Sequence, residues 1–98
     1  MISKEPGTQA NTVRVTFRVP DAIWATSVYL VGDFNNWNRY AHPLERSLHN
    51  GWRLTLELER GRAYHYRYLL NGTQWCNDYD ADRYEANPFG GQNSVVET

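Results

Sequence analysis

Three stretches of this chain alternate apolar and polar residues with the period of a β-strand. In residues 12–19 (TVRVTFRV) every odd-numbered residue is apolar and every even-numbered one is Thr or Arg. Residues 52–59 (WRLTLELE) repeat the pattern with the apolar residues at even positions. Residues 63–70 (AYHYRYLL) place three tyrosines on one face and His65 and Arg67 on the other. Each stretch therefore predicts a strand with one face in the core.

Shorter β-rich runs and turn signals complete the prediction of an all-β fold. Residues 27–34 (SVYLVGDF), a short run around 74–76 and a closing run at 94–97 predict further strands. Closely spaced turn signals, of which Asn71-Gly72 is the strongest, and the lack of a helical period favour a small sandwich of two antiparallel sheets. We expect residues 1–11 to form a flexible leader and residues 12–98 to form a single domain.

Charge and cysteine content narrow the classes of partner and compartment. Lys and Arg number 10 against 11 for Asp and Glu, and this near-neutral balance disfavours nucleic acid and anionic membranes as partners. No run of about 18 apolar residues predicts a membrane span. The single cysteine, Cys76, has no partner for an internal disulfide, and the first residues lack the apolar run of a secretory signal. We therefore expect a cytoplasmic chain.

The aromatic content exceeds what so small a core can bury, with four Trp, seven Tyr and three Phe. Trp37 lies among asparagines in the sequence NNWN, a setting that favours exposure. Trp52 is in phase with the leucines of its strand, so we assign it to the core. Trp24 follows Ile23, which also indicates packing. The tyrosines of residues 63–70 have strand parity and are interpreted as a sheet face.

The face on which Trp75 lies depends on the length of the turn before it. A two-residue turn at Asn71 and Gly72 would pair Trp75 with Tyr68 and send it to the tyrosine face. A three-residue turn would pair it with Leu69 and place it on the same face as Arg67. Both turn lengths are common in hairpins.

Signals for catalysis or metal binding are weak. Cys76 and His65 lack the third group that would orient a nucleophile and its base. The aspartates of residues 78–82 imitate the start of a calcium loop, but Arg83 and Phe89 stand where such loops need Gly and Glu. A glycosidase pair would need a cleft around the scissile bond. We interpret these aspartates as loop residues that accept backbone hydrogen bonds and pair with Arg83, and we expect no metal, no cofactor and no enzymatic activity.

Four segments, in order, resemble the glycogen-binding family of early-set domains. They are VYLVGDFNNWN at residues 28–38, YRYLLNG at residues 66–72, Trp75, and NPFGGQNSVV at residues 87–96. This family is similar to an immunoglobulin sandwich and occurs in the β subunit of AMP-activated protein kinase and ahead of the catalytic barrel of isoamylases and branching enzymes. The match runs from about Val13 to the end of the chain.

The resemblance implies a set of carbohydrate-binding residues. In sugar-binding members two tryptophans stack on glucose rings, a basic residue and an asparagine bind hydroxyl groups, and an apolar side chain fits inside the curved glucan. The motifs assign these roles to Trp37, Trp75, Arg67, Asn93 and Phe89, and they require the three-residue turn before Trp75. Arg67, Phe89 and Gly91 stand where the kinase-type modules have lysine, leucine and threonine.

The implied function is the non-catalytic binding of α-1,4-glucan, such as glycogen, maltooligosaccharides or a cyclodextrin. The alternative is a protein-interaction subunit that docks on a glucan-active enzyme without binding sugar itself, since many fused family members use the domain in that way. The asparagine-rich setting of Trp37, together with Arg67 and Asn93, favours sugar because a protein partner would not need that polar rim.

Overall fold

The computed structural model describes residues 2–21, 25–47 and 51–98, and these residues form two antiparallel sheets. The first sheet has the strand order β1-β2-β5-β4, and the second has the order β3-β6-β9-β8 with β7 beside β6. The predicted all-β, immunoglobulin-like sandwich is confirmed. None of the helical segments in these residues is long and apolar enough to cross a membrane. The elements are β1 (Ile2–Pro6), β2 (Thr12–Val19), β3 (Val28–Gly32), a 3-10 turn (Asp33–Asn35), β4 (Glu45–Ser47), β5 (Gly51–Glu59), β6 (Ala63–Leu70), β7 (Gln74–Cys76), β8 (Arg83–Ala86) and β9 (Gln92–Glu97).

Strands with an alternating sequence lie where the pattern predicts them. The bounds of β2, β6 and β7 agree with the prediction, and β5 begins one residue early, at Gly51. Strand β3 stops at Gly32 because the chain then enters the 3-10 turn, in which Phe34 packs against the core. Strand β9 starts at Gln92, two residues before the predicted start.

Three strands are absent from the sequence-based prediction, and each has few buried side chains. Regular structure begins at Ile2, so the prediction that it begins at Thr12 is wrong. Strand β1 pairs with β2 from Ile2 opposite Phe17 to Pro6 opposite Val13, and only Ile2 packs against the core. Strands β4 and β8 likewise pair with neighbours, and all of their side chains are exposed or only half-buried. Backbone pairing at an edge leaves little trace in hydrophobic patterning.

The core between the two sheets contains the residues that the alternation assigns to it. Phe17 and Tyr66 are fully buried and pack edge to face, with ring centroids 5.1 Å apart. Trp52 is 7% exposed, which confirms its assignment to the core, and Tyr64, Tyr66 and Tyr68 all face inward. Trp24 lies outside the described residues, so its predicted packing stays a prediction.

Asp78 is buried beneath the second sheet and organises the loop after β7. Its Oδ2 accepts hydrogen bonds from the hydroxyls of Tyr66 at 2.9 Å and Tyr68 at 3.0 Å. Its backbone N–H donates to Ser94 Oγ at 2.8 Å. Burial, followed by the nearby Asp78 carboxylate, raises the pKa of both phenols well above the ordinary value.

The expectation that the aspartates of this loop pair with Arg83 is wrong. Arg83 instead contacts Glu85 and Glu97, which lie on the same face of the sheet in β8 and β9. Asp82 contacts Lys4 of β1 at 2.6 Å. The expected backbone contacts do occur, since Asp80 N–H donates to Asp78 Oδ1 at 3.0 Å. The tertiary fold therefore determines these ion pairs, which join Asp82 to Lys4 and Arg83 to Glu85 and Glu97.

Candidate functional site

The outer face of the second sheet carries Arg67 and Trp75 side by side. Trp75 is paired with Leu69, so the three-residue turn is confirmed. Within that turn Asn71 and Gly72 both have positive φ, of 55° and 75°, and Thr73 N–H donates to Leu70 O at 3.1 Å. Thr73 is therefore an extra residue beyond a two-residue turn, and it shifts the register by one. A register shift of one residue moves every side chain of the strand to the opposite face of the sheet, so Trp75 does not lie on the tyrosine face.

Trp37 is held by the loop that follows β3. Phe34 anchors this loop, with its ring centroid 5.6 Å from that of Phe17 in the core. Asn36 and Trp37 both have positive φ, near 56° and 58°, and Trp37 N–H returns to Gly32 O at 2.9 Å. The left-handed backbone turns the indole away from the core, and the side chain is half-buried.

Asp33 fixes the orientation of the Trp37 indole. The indole Nε1–H donates to Asp33 Oδ1 at 2.9 Å, and the other oxygen of that carboxylate accepts the backbone N–H of His65 at 2.8 Å. One carboxylate thus ties the loop to β6. Asn35 supports the same loop, since its Oδ1 accepts Gly32 N–H at 3.1 Å and its Nδ2 donates to Leu30 O at 3.0 Å.

Phe89 projects from the loop between β8 and β9 and is 94% exposed. Asn87 closes this loop because its Oδ1 accepts the backbone N–H groups of Phe89 at 3.0 Å and Gly91 at 3.1 Å. Asn87 N–H also donates to Gly91 O at 2.9 Å, and Gly90 takes a φ of 88°. The loop is therefore a closed turn that displays an apolar side chain.

These elements surround one cleft of about 600 Å³. The five residues that the sequence analysis singles out, Trp37, Arg67, Trp75, Phe89 and Asn93, all line it. Five further residues complete the lining: Asp33, Arg39, His65, Asn87 and Pro88.

Two guanidinium groups flank the indole of Trp75. Arg39 Cζ lies 5.5 Å and Arg67 Cζ 5.7 Å from the ring centroid, within the range of cation–π attraction. Arg67 Nε is buried and has no hydrogen-bond partner among the residues that the structure describes. The Arg67 side chain as a whole is half-buried, so the terminal N–H groups of its guanidinium are the donors that can reach a ligand in the cleft.

Sequence reasoning missed Asp33, Arg39 and His65 as parts of this cleft. His65 shares the strand parity of Arg67, and this signal was sufficient to place it on the same face. Arg39 lies two residues beyond Trp37, but only the fold of the loop brings it over Trp75. Asp33 accepts the backbone N–H of His65 in β6, and the sequence offers no signal for a contact between these distant segments.

The cleft offers flat apolar surfaces with hydrogen-bonding groups at their edges. Cys76 packs toward the core beside Tyr68, on the face opposite His65, so these two residues do not form a nucleophile and base. Burial raises the pKa of the Cys76 thiol, which further disfavours the thiolate. Across residues 2–21, 25–47 and 51–98, no group of three or more His, Cys, Asp or Glu is placed to hold a metal ion.

Comparison with known proteins gives one family and several longer relatives. Residues 7–90 match the model of carbohydrate-binding module 48, described as the isoamylase N-terminal domain. The 1,4-alpha-glucan branching enzyme GlgB of Synechococcus elongatus is 35% identical over 79 residues, covering 76% of this chain and 9% of that enzyme. The 5'-AMP-activated protein kinase subunit beta-1 of Sus scrofa is 45% identical over 51 residues, covering 52% of this chain and 38% of that subunit. The chain therefore spans a minor part of each of these two relatives.

Proposed function

This chain belongs to the carbohydrate-binding module 48 family, whose members are non-catalytic modules, and from that premise we propose that it binds α-1,4-glucan chains. The observation that carries the proposal is the convergence of Trp37, Trp75 and Phe89 with polar side chains on a single cleft. These residues come from three separate segments of the chain, so their convergence is a property of the fold.

The apolar part of the cleft suits the C–H face of glucose. Trp37 and Trp75 supply indole rings that are partly exposed, and Phe89 adds a fully projecting ring. A pyranose ring presents C–H groups on its faces and hydroxyl groups around its rim, so aromatic side chains bind the faces. We infer that an α-1,4 chain, which curves, wraps around Phe89 while its rings stack on the two indoles.

The polar part of the cleft suits the hydroxyl rim. Arg67 and Asn93 both line the cleft, and both side chains are half-buried. Arginine can donate several hydrogen bonds in a plane, and asparagine can both donate and accept. Two stacking contacts and a few such hydrogen bonds in an open cleft support about −4 to −7 kcal/mol, or dissociation constants of roughly ten micromolar to millimolar.

The names of the relatives favour an α-1,4-glucan over other carbohydrates. The matched enzyme of Synechococcus elongatus is named as a 1,4-alpha-glucan branching enzyme. We propose glycogen, maltooligosaccharides and cyclodextrins as the ligands and the cytoplasm as the location of the chain. In this proposal the chain does not bind nucleic acid, a membrane or a cofactor, and it does not itself catalyse a reaction. Docking on a glucan-active enzyme is the rival outcome that the experiments below separate from sugar binding.

Alanine at either stacking position tests the proposal. Trp37→Ala and Trp75→Ala should each weaken maltoheptaose binding by about 1 to 3 kcal/mol, or roughly fivefold to 150-fold, as for the loss of an aromatic stacking platform. Binding is measured by isothermal titration calorimetry, and folding by urea unfolding. Both variants should fold, since neither indole belongs to the core cluster.

Tyr40→Ala is the matched control for these variants. Tyr40 is 78% exposed, lies in the same loop as Trp37 and does not line the cleft. Its loss should leave affinity within about twofold. Folded tryptophan variants that bind maltoheptaose as tightly as the original chain would contradict the proposed site. A chain with no glucan affinity that instead retains a glucan-active enzyme through these tryptophans would favour docking.

A further inference from the structure

A series of hydrogen bonds runs beside the cleft from Asn87 to Asn93. Two backbone N–H groups determine which atom of each side chain donates and which accepts. Asn87 Oδ1 accepts from Phe89 N–H and Gly91 N–H, so the oxygen of this side chain must face the loop. Its Nδ2 then faces Asn93 and donates to Asn93 Oδ1 at 3.2 Å. Because an amide nitrogen only donates, this step also fixes which way the Asn93 side chain points.

The same direction continues through His65. Asn93 Nδ2 lies 3.3 Å from His65 Nδ1, and an amide donor at that position needs an acceptor. His65 Nδ1 must therefore carry no proton. The other ring nitrogen, Nε2, lies 3.1 Å from Glu85 Oε2, carries the ring proton and donates a hydrogen bond to that carboxylate. All hydrogen bonds in this series, from the Phe89 loop through Asn93 to Glu85, can form together only when His65 is neutral.

Charged groups lie on the strands and the loop next to His65. Glu85 of β8 faces its Nε2, and Arg83 of the same strand contacts Glu85 as well as Glu97 of β9. Asp33 accepts the backbone N–H of His65, and Arg67 is the next outward residue of β6. Protonation of His65 would strengthen its contact with Glu85 but would place an Nδ1–H against the Asn93 amide.

The Asn93 side chain has no orientation that satisfies a protonated His65 and Asn87 together. Turning its oxygen toward His65 would place its nitrogen against Asn87 Nδ2, and Asn87 is locked by two backbone donors. When His65 is protonated, one hydrogen bond of this series is therefore lost in either orientation of the Asn93 amide.

We propose that His65 is a positioning residue of the glucan site, and that its protonation weakens glucan binding by releasing Asn93. The proposal rests on the function proposed above, in which Asn93 contacts a sugar hydroxyl. Neutral His65 holds the Asn93 amide with its oxygen toward Asn87 and one N–H free for the ligand. Protonated His65 removes that arrangement and loosens the connection to the Phe89 loop.

The test is the pH profile of maltoheptaose affinity in the original chain and in His65→Gln. Affinity of the original chain should fall about threefold to tenfold from about pH 7.5 to pH 5.5, as expected for the loss of one hydrogen bond. Glutamine offers an oxygen to Asn93 and an N–H to Glu85 and does not titrate. The affinity of His65→Gln should therefore not change over this range, whereas His65→Leu should bind weakly at both pH values.

His42→Gln is the matched control, because His42 is placed in a similar way. Its Nδ1 lies 2.9 Å from Asn35 Nδ2, in the loop that holds Trp37. Asn35 keeps its hydrogen bonds to Gly32 N–H and Leu30 O when His42 is protonated, so the loop should stay in place and the pH dependence should persist in His42→Gln. Loss of the pH dependence in His42→Gln, together with its persistence in His65→Gln, would overturn the assignment to His65.

A measurement without ligand separates this proposal from the proposed function. The Asn93 side-chain amide resonances should shift between about pH 7.5 and pH 5.5 in the original chain and stay unchanged in His65→Gln. Asn93 resonances that do not respond to pH would overturn the positioning role even if glucan binds. A chain whose Asn93 amide responds to pH but which binds no glucan at either pH would overturn both the link to affinity and the proposed function.

Discussion

Replacement of Trp52 by alanine is expected to lower the free energy of unfolding by about 3 to 5 kcal/mol. Trp52 is 7% exposed, lies opposite Val19 in the first sheet and packs in the core cluster. The guanidinium of Arg46 lies 5.7 Å from its ring centroid and covers one side of the indole. Truncation would leave a large cavity in a domain of marginal stability. Urea unfolding measures the resulting loss in the free energy of unfolding.

Trp52→Phe provides the matched control. Phenylalanine keeps an aromatic ring in the core and removes the Trp52 Nε1–H, which is buried with no hydrogen-bond partner in the described part of the chain. Its cost should stay below about 2 kcal/mol, because part of the lost packing is offset by removal of that donor. A Trp52→Ala protein that unfolds at the same urea concentration as the original but no longer binds glucan would show that the core and the site are exchanged.

Replacement of Asp78 by alanine is the second change with a large expected effect. It would leave the hydroxyls of Tyr66 and Tyr68 without their buried acceptor, at a cost of about 1 to 3 kcal/mol each. We expect urea unfolding to show a total loss of about 2 to 6 kcal/mol. Asp80→Ala is the control, since Asp80 is exposed in the same loop and its loss should cost less than about 0.5 kcal/mol.

The same cluster predicts a loss of stability in alkaline solution. The pKa values of Tyr66 and Tyr68 are raised in the folded chain, whereas tyrosines of the unfolded chain ionise near pH 10. Above about pH 10 the unfolded chain therefore binds fewer protons, so stability is complete below that pH and falls above it by up to about 2.7 kcal/mol per pH unit for two groups. Replacing both tyrosines by phenylalanine should remove this slope. An Asp78→Ala protein as stable as the original, or a flat profile to about pH 11, would contradict the buried cluster.

Much of the fold follows from alternation, because a strand with one buried face must repeat with a period of two. Strands β2, β5 and β6 are eight or nine residues long, carry that period over most of their length and were predicted nearly residue by residue. Strands β1, β4 and β8 bury few side chains, so backbone pairing with a neighbour defines them and patterning does not. Hydrogen bonds of the backbone are available to any sequence, which is why such edges escape detection.

The candidate site was predictable to the extent that it depends on strand parity and family motifs. The position of Trp75 followed once the turn length was chosen, and parity alone placed Arg67 outward. The buried position of Asp78 and the bridging role of Asp33 depend on contacts between distant segments. Those contacts exist only after the sheets have assembled, so no local pattern announces them.

The most direct test of glucan binding is an amide-shift titration with two ligands of matched length, maltoheptaose and its β-1,4-linked counterpart. Maltoheptaose should shift the resonances of Trp37, Arg67, Trp75, Phe89 and Asn93 with a dissociation constant between roughly ten micromolar and millimolar. The β-linked chain is straighter and should shift them much less. Absence of shifts with maltoheptaose, or equal shifts with both ligands, would contradict α-1,4-glucan binding in this cleft.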